Sequence, residues 1–263
     1  MNKNELNKFI NELRRKNPEY SSNLYQPIDL VEEKLQTGTM WLITTTDLLL
    51  LVEADNDLSR IYFCARNDES LKSIIPNLNT DPQKTVMDVV GRGEKLEDLS
   101  NTLCNYGFQR SFRFIRMSSK TPTLPDIEIK NVETAIREDA FEINQIIRST
   151  FETTYAYIPN LDEIEEDCEK GFIHVVREDN KIAAFAYIAI ENHLNHCLRY
   201  FIARPEARGK GYANQLLRHG FEQLPPKGLF YLWIGTYNPT VKKYEKYGLK
   251  HDGLIDDILT VAQ

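Results

Sequence analysis

The sequence predicts an α/β protein in which a mixed α+β sheet is flanked by helices, and three observations predict this class. Apolar runs rich in aromatic and β-branched residues alternate with amphipathic segments along the 263 residues, as strands alternate with helices. A glycine-containing loop at 204–213 joins one such strand to one such helix. Short stretches of the first half recur in the second half at similar spacing, which indicates a tandem arrangement of two related copies.

The first half begins with two amphipathic segments of helical spacing and continues with strand-like apolar runs. Met40–Ile43 and Leu48–Glu53 are predicted to pair as a hairpin. Arg60–Arg66 and Thr85–Val90 are predicted to be further strands, and we interpret the glycine cluster at 91–93 as a turn.

A linker of two prolines and small polar residues, Ser118–Pro125, separates the halves. Because domain boundaries fall in such segments, the sequence predicts one domain at 1–120 and a second at 126–263.

The second half is predicted to open with a short strand and two helices and to continue with a hairpin. The predicted helices are 138–151, which is amphipathic, and 161–170, which is acidic. The predicted strands are Ile127–Val132, Phe172–Arg177 and Lys181–Ile190, with residues 178–180 as the hairpin turn.

The loop at 204–213 is the strongest indication of function in the sequence. The apolar run Cys197–Ala203 precedes it, and apolar residues at 213, 216, 217 and 221 follow it at helical spacing. A glycine loop that opens a helix presents unpaired backbone N–H groups and the positive end of the helix dipole, which suit a pyrophosphate. The loop fits neither GxxxxGK[ST] nor GxGxxG.

Four residues of this loop have the properties that a pyrophosphate site requires. Gly211 lets the backbone approach the phosphates, and Gly209 relaxes the turn. Arg208 and Lys210 add positive charge. An ordinary basic turn between a strand and a helix is the alternative interpretation of the loop taken alone.

A second strand and a second helix follow. Leu229–Thr236 has strand composition, Asn238 is a good helix N-cap, Pro239 suits the first helical position, and Gly248 is placed to end the helix.

These two stretches resemble the GCN5-related N-acetyltransferases, the GNAT superfamily. Residues 208–213 fit the family's [QR]-x-x-G-x-[GA] loop. Residues 238–249 resemble its N-x-x-[AV]-x-x-x-Y-x-x-x-G-[FL] motif, and a helix and a strand separate the two motifs as they do in the family. The resemblance covers about residues 126–263.

The resemblance implies a function and a set of site residues. Acetyl-CoA would be the co-substrate, and its acetyl group would pass to a primary amine of a small molecule by direct attack in a ternary complex. The expected acetyl-CoA-binding residues are Phe201, Ile202 and Ala203 for pantetheine, Arg208, Gly209, Lys210, Gly211, Tyr212 and Ala213 for the pyrophosphate, and Asn238 and Tyr244 at the pantetheine arm and thiol.

The first half resembles a reduced copy of the same fold. Arg60–Arg66 and Leu198–Arg204 share Tyr-Phe-x-Ala-Arg. A second pair of similar stretches, 103–108 and 244–249, begins 37 residues after Arg66 and 40 residues after Arg204. We therefore predict a tandem GNAT-like fold with a complete C-terminal copy and a reduced N-terminal copy. The N-terminal copy has Asn67-Asp68-Glu69 in place of the basic glycine loop, so we expect no acyl-CoA site there.

Tyr244 and His196 are the candidate catalytic residues. Tyr244 matches the family's general acid, and a phenol with a pKa of ~10 stays protonated at neutral pH. The alternative is a core aromatic residue on a helix. No carboxylate lies at 199–201, so His196, Glu191 and His193 are the nearest candidates for a general base, unless a water chain carries the proton.

The remaining expectations concern partners and compartment. The net charge of −7 argues against nucleic-acid binding, and no run approaches the ~20 apolar residues of a membrane span. Four widely spaced cysteines and an N-terminus without an apolar core indicate a reduced, cytoplasmic protein, and the scattered histidines predict no metal. The acidic segment 162–169 is either a guide for a cationic amine or a solvated face. We expect a monomer or homodimer, with a non-catalytic acyl-CoA-binding or interaction module as the alternative function.

Overall fold

The structure is a computed structural model that describes residues 1–262 except 16, 56, 79–80, 124 and 192–193. Within these residues the α-helices are α1 Lys3–Arg14, α2 Ile28–Thr37, α3 Asp68–Leu71, α4 Ile74–Asn77, α5 Gly93–Asn105, α6 Ala140–Thr150, α7 Leu161–Glu169, α8 Tyr212–Glu222 and α9 Val241–Lys246. The strands are β1 Ser21–Ser22, β2 Met40–Thr44, β3 Leu48–Asp55, β4 Leu58–Ala65, β5 Thr85–Gly91, β6 Phe108–Ser119, β7 Glu133–Thr134, β8 Ile173–Glu178, β9 Lys181–Glu191, β10 Asn195–Ala203, β11 Phe230–Gly235 and β12 Lys250–Val261.

The chain folds into two compact units. The first comprises Met1–Phe114, Thr153–Tyr155 and Leu254–Gln263, and the second comprises Ile115–Glu152 and Ala156–Gly253. The division differs from the predicted domains 1–120 and 126–263, because the last strand pairs residues 255–260 with β5 of the first unit. Leu124 of the predicted linker lies outside the described residues.

The first unit contains a sheet with the strand order β2-β3-β4-β5-β12. Strands β2, β3 and β4 are antiparallel, β4 and β5 are parallel, and β5 and β12 are antiparallel. Alternate residues of β3 face opposite cores, Leu50 and Val52 on one side and Leu49 and Leu51 on the other, because successive strand side chains point to opposite faces.

The second unit contains a sheet with the strand order β7-β8-β9-β10-β11-β6. Each strand from β7 to β9 pairs antiparallel with the next one along the chain, and β10 pairs in parallel with β11. Ile143 of α6 and Ile164 of α7 lie in the core on one face. Leu216 of α8 and Tyr244 of α9 lie in the core on the other face. This is the mixed sheet flanked by helices that the sequence predicts.

The two units repeat the same strand pattern, which confirms the tandem fold. In each, antiparallel strands lead to a strand, β4 or β10, that pairs in parallel with the next one along the chain. The connections differ: the described part of the β4–β5 connection contains α3 and α4 of four residues each, whereas α8 of eleven residues connects β10 to β11.

The predicted strand Ile127–Val132 is not formed. The Lys130 N–H donates to the side-chain oxygen of Gln215 at 2.9 Å, and a guanidinium nitrogen of Arg218 donates to the Ile127 carbonyl at 3.0 Å. Because side chains of α8 satisfy these backbone groups, the segment has no need of a strand partner. The predicted turn at 178–180 is confirmed, with Asp179 and Asn180 both at positive φ as a two-residue hairpin loop requires.

Candidate functional site

The predicted loop forms between β10 and α8. A short 3₁₀ turn at Pro205–Ala207 follows the strand, and α8 begins at Tyr212 with Gly211 as its N-cap. Gly209 and Gly211 have φ of +83° and +85°, in the left-handed region that favours glycine. The two glycines therefore turn the chain sharply into the first turn of α8.

The loop presents free backbone donors. Among the described residues, the N–H groups of Gly209, Gly211, Tyr212 and Ala213 find no hydrogen-bond acceptor. Those of Tyr212 and Ala213 belong to the first turn of α8, where no intrahelical acceptor is available. Four neighbouring donors at the positive end of an eleven-residue helix form an anion-binding arrangement.

A cavity of about 330 Å³ lies against these donors. Its lining residues are Ala203, Ala207, Arg208, Gly209, Gly211, Tyr212, Ala213, Asn214 and Lys243. A larger open groove of about 460 Å³, lined by 126–129, Arg218 and Glu222, carries acidic side chains and does not suit a phosphate. Charge therefore favours the smaller cavity as the anion site.

The two loop cations lie in different surroundings. Arg208 is exposed, and its Nε lies 3.4 Å from the Ala203 carbonyl. Lys210 Nζ lies 2.8 Å from both carboxylate oxygens of Glu178, which also accepts from the Tyr212 hydroxyl. The bond from Lys210 lowers the pKa of Glu178. Part of the positive charge predicted for the loop is therefore balanced in this structure.

The edge of β10 opens towards the loop. Its parallel pairing with β11 covers only His196–Leu198, and its register with β9 shifts between Leu198 and Tyr200. Beyond that bulge, among the described residues, β10 pairs on its β9 side only. Phe201 packs on the α8 side and Ile202 on the opposite side, so these two residues offer the site their backbone edge.

Tyr244 is buried on α9, with 5 % of its surface exposed. It packs in the core with Leu216 and Leu249, and burial raises its pKa. Its hydroxyl makes no hydrogen bond to any described residue. The hydroxyl is therefore protonated and free of a structural partner, but Tyr244 does not line the cavity.

The chain departs from the family motif by one residue in α9. The motif as written places tyrosine four residues after the small residue, whereas Tyr244 lies three residues after Val241. One residue rotates a side chain by about 100° around a helix. The shift is consistent with a Tyr244 that packs in the core while its neighbour Lys243 lines the cavity.

Asn238 lies in the turn before α9 and is not the helix N-cap, which is Thr240. The Asn238 side chain accepts from the Thr240 N–H at 2.9 Å and is exposed. The predicted end of the helix is confirmed: Gly248 has a φ of +77°, and the Leu249 N–H returns to the Tyr244 carbonyl at 3.2 Å.

Lys243 is a cavity residue that was not predicted from the sequence. It is half-buried, burial lowers its pKa, and its Nζ lies 6.0 Å from the centre of the Phe201 ring. The sequence does contain a signal for a role of Lys243 at the site, because this residue falls within the second motif and carries a charge next to an apolar helix face.

His196 is not brought near the cavity. It is 3 % exposed on the closed part of β10, and seven residues of strand, roughly 23 Å, separate it from Ala203. Burial lowers its pKa, and its Nδ1 has no partner among the described atoms. Glu191 accepts a hydrogen bond from Tyr231, and His193 lies outside the described residues. The geometry therefore gives His196 no contact with a ligand at the loop.

The acidic segment on α7 is largely paired. Arg137 contacts Glu165 and, at 2.7 Å, Glu169. Lys170 contacts Glu166 at 3.3 Å and Asp167 at 2.9 Å. These pairs favour a solvated, internally balanced face. In the part of the chain that is described, no group of three His, Cys, Asp or Glu residues is placed to hold a metal ion, and no helix has the length and apolar content of a membrane span.

The mixed sheet, the free edge of β10 and the glycine loop define an α/β domain with an anion-binding arrangement at the start of α8. The comparison with protein families makes the class specific: residues 137–249 match the acetyltransferase (GNAT) family. No curated protein matches the sequence.

Solved structures share the fold over most of the chain. A GCN5-related N-acetyltransferase from Sphaerobacter thermophilus has a TM-score of 0.59 at 9% identity, covering 90% of this chain and 86% of that chain. One from Kribbella flavida has a TM-score of 0.58 at 15% identity, covering 89% and 95%. A tandem GNAT protein from the clavulanic acid biosynthesis pathway, solved without acetyl-CoA, has a TM-score of 0.56 at 9% identity, covering 99% and 96%. At these identities the likeness supports the tandem fold alone.

Proposed function

We propose that the second unit binds acetyl-CoA and transfers its acetyl group to a primary amine of a small molecule, by direct attack in a ternary complex. The observation that carries the proposal is the cavity at the loop, where four free N–H groups and Arg208 face one space in a segment of the GNAT family. Acetyl-CoA would supply the activated acyl group as a thioester.

The residues at the cavity fit such a ligand. The N–H groups of Gly209, Gly211, Tyr212 and Ala213 would donate hydrogen bonds to the diphosphate, with the charge of Arg208 beside them. The free edge of β10 beyond Leu198 would bind the amide groups of the pantetheine arm as a neighbouring strand would. Asn238 is exposed in the turn before α9 and would contact the same arm.

Tyr244 would hold the proton that the departing thiolate needs. Its raised pKa keeps the phenol protonated at neutral pH, and its hydroxyl has no described partner that would compete for it. Proton removal from the amine would fall to water, because Glu191, bonded to Tyr231, lies opposite Asn195 at the closed end of β10.

A non-catalytic acyl-CoA-binding module is the second candidate, and two observations favour it. Residues 197–203 of β10 include no carboxylate, and Tyr244 packs in the core and does not line the cavity. Both functions require the loop, so acyl-CoA binding alone does not separate them.

Calorimetric titration with acetyl-CoA, followed by an amine screen, tests the proposal. We expect one site per chain, since the first unit has Asn67-Asp68-Glu69 after its β4 strand, and release of free CoA with at least one amine class. Binding without turnover across amino acids, amino sugars and polyamines would favour the binding module. Absence of binding would contradict both functions.

A further inference from the structure

Lys243 shares the cavity with the glycine loop although it comes from a different element. The cavity lining joins residues 203–214 of the β10–α8 connection to Lys243 of α9. On the same helix Val241 and Tyr244 pack in the core, while Lys242 and Lys246 are exposed. The packed residues fix the rotation of α9, and this rotation directs position 243 to the cavity.

The charge of Lys243 has no anion beside it. Among the described residues, no carboxylate lies within ion-pair distance of its Nζ, whereas Lys210 pairs with Glu178 and Lys34 with Glu53. The side chain is half-buried against Phe201, and this desolvation lowers its pKa. A half-buried cation without a counterion costs free energy, which an anion in the adjacent cavity would offset.

We propose that Lys243 is a further donor-binding residue, whose ammonium group pairs with the diphosphate of acetyl-CoA; this inference rests on the proposed function. The diphosphate is favoured over the thioester end because the cavity that Lys243 lines is the one that the free N–H groups and Arg208 face. Lys210 is held by Glu178, so Lys243 and Arg208 are the two cations of this cavity without a described carboxylate partner.

The test compares the binding of CoA and of 3′-dephospho-CoA to wild-type protein and to Lys243→Met by calorimetry. Methionine keeps the length of the side chain and its contact with Phe201 but removes the charge. We expect the variant to bind both ligands roughly tenfold more weakly, because hydrogen bonds to charged groups contribute on this scale. Lys243→Arg should restore binding to within roughly threefold of wild type, and Lys242→Met, one position away on the exposed side, should bind as wild type does.

Each other outcome has a defined meaning. Equal CoA affinity in Lys243→Met and wild type would overturn the assignment. A loss confined to CoA and absent for 3′-dephospho-CoA would place Lys243 at the 3′-phosphate and also overturn it. A lower kcat with unchanged affinity would assign Lys243 to the thiol end instead. If wild-type protein itself binds neither ligand, the proposed function fails, and that result is distinct from a failure of the variant. If Lys243→Met unfolds at the same midpoint temperature as wild type, its lower affinity does not result from loss of folded structure.

Discussion

The backbone conformation of Gly211 favours glycine. Its φ is +85°, and an added Cβ would lie 3.4 Å from the Ile127 side chain. Gly211→Asp would add strain and set a carboxylate against the bound diphosphate. We expect CoA binding to fall below detection in calorimetry. Gly38→Asp is a matched control, because Gly38 has a φ of +75° in the first unit with open space around it. Both variants should lose about 1 kcal/mol of stability, but only Gly211→Asp should lose binding. Equal CoA affinity in both variants would contradict the loop assignment.

The Tyr244 hydroxyl can be tested without disturbing the fold. Because it has no described hydrogen-bond partner, Tyr244→Phe removes no structural bond. We expect its stability and CoA affinity to match wild type and its kcat to fall roughly 10²-fold, the usual scale of general acid catalysis. Steady-state kinetics with the amine found in the screen measures this, and wild-type turnover would remove Tyr244 from the mechanism.

Tyr247→Phe is the matched control on the same helix. The Tyr247 hydroxyl donates to the Asn214 side chain at 2.7 Å, so its loss should cost about 1 kcal/mol of stability. We expect its kcat to stay within roughly twofold of wild type. We therefore expect Tyr244→Phe to lower kcat without a loss of stability, and Tyr247→Phe to lose stability with little change in kcat.

The residues around the loop were predictable to different degrees. The loop glycines could be placed from the sequence because left-handed φ and close approach to phosphate both demand glycine. The partner of Lys210 could not, since Glu178 is 32 residues away and meets it only through the fold. Lys243 was missed for a related reason: which face of a six-residue helix points to a cavity depends on how its neighbours pack.

At the scale of elements, the β8 end and the loop are coupled through Glu178. This residue, on β8, holds Lys210 and also accepts from Tyr212, and its bond raises the pKa of Lys210. Glu178→Gln would release the ammonium group to the cavity. At low salt we expect CoA to bind roughly two- to fivefold more tightly, the scale of an exposed ion pair, and the gain to vanish as salt screens it.

Glu222→Gln provides the comparison for this variant. Glu222 pairs with Arg218 at 2.7 Å at the far end of α8. The substitution therefore removes one negative charge from the same unit without freeing a loop cation. Its CoA affinity should stay at the wild-type value. An equal gain in both variants would show a general charge effect and not release of Lys210.

Most elements near the site follow from local pattern, and the exceptions share a cause. The strand predicted at 197–203 is observed as 195–203, and the strand predicted at 229–236 as 230–235, because apolar periodicity records burial directly. The segment 127–132 has strand composition but no strand partner, since Gln215 and Arg218 satisfy its backbone groups. A contact across about 85 residues leaves no local signal.

At the scale of the whole molecule, the repeat was visible but its boundaries were not. Two short similarities at similar spacing predicted two copies, and β4–β5 and β10–β11 do share their parallel pairing. The sequence placed the C-terminus with the second copy, whereas 254–263 belongs to the first unit. The pairing of residues 255–260 with β5 is a long-range contact, which composition and periodicity do not report.

Global stability should fall in acid because of a buried imidazole that packs against a second, half-buried one. His174 is 3 % exposed, its Nδ1 has no partner among the described atoms, and its ring lies 4.4 Å from that of His219. Burial, and next the charge of His219, lower the pKa of His174 to about 4.

The direction of the effect follows from the pH at which His174 binds a proton in the folded and in the unfolded state. Between pH 6.5 and about 4 the unfolded chain protonates this histidine while the folded protein does not, so the free energy of unfolding falls as pH falls through that window. Above pH 6.5 both states are neutral and the group contributes no pH dependence. The full difference is on the order of 3 kcal/mol. Urea unfolding at pH 7.5, 6.5, 5.5 and 4.5 should therefore show a shallower decline in His174→Leu than in wild type, whatever their offset at pH 7.5. Parallel profiles would mean that His174 is protonated in the folded protein or reached by solvent, and the acid sensitivity would then have to arise from other groups.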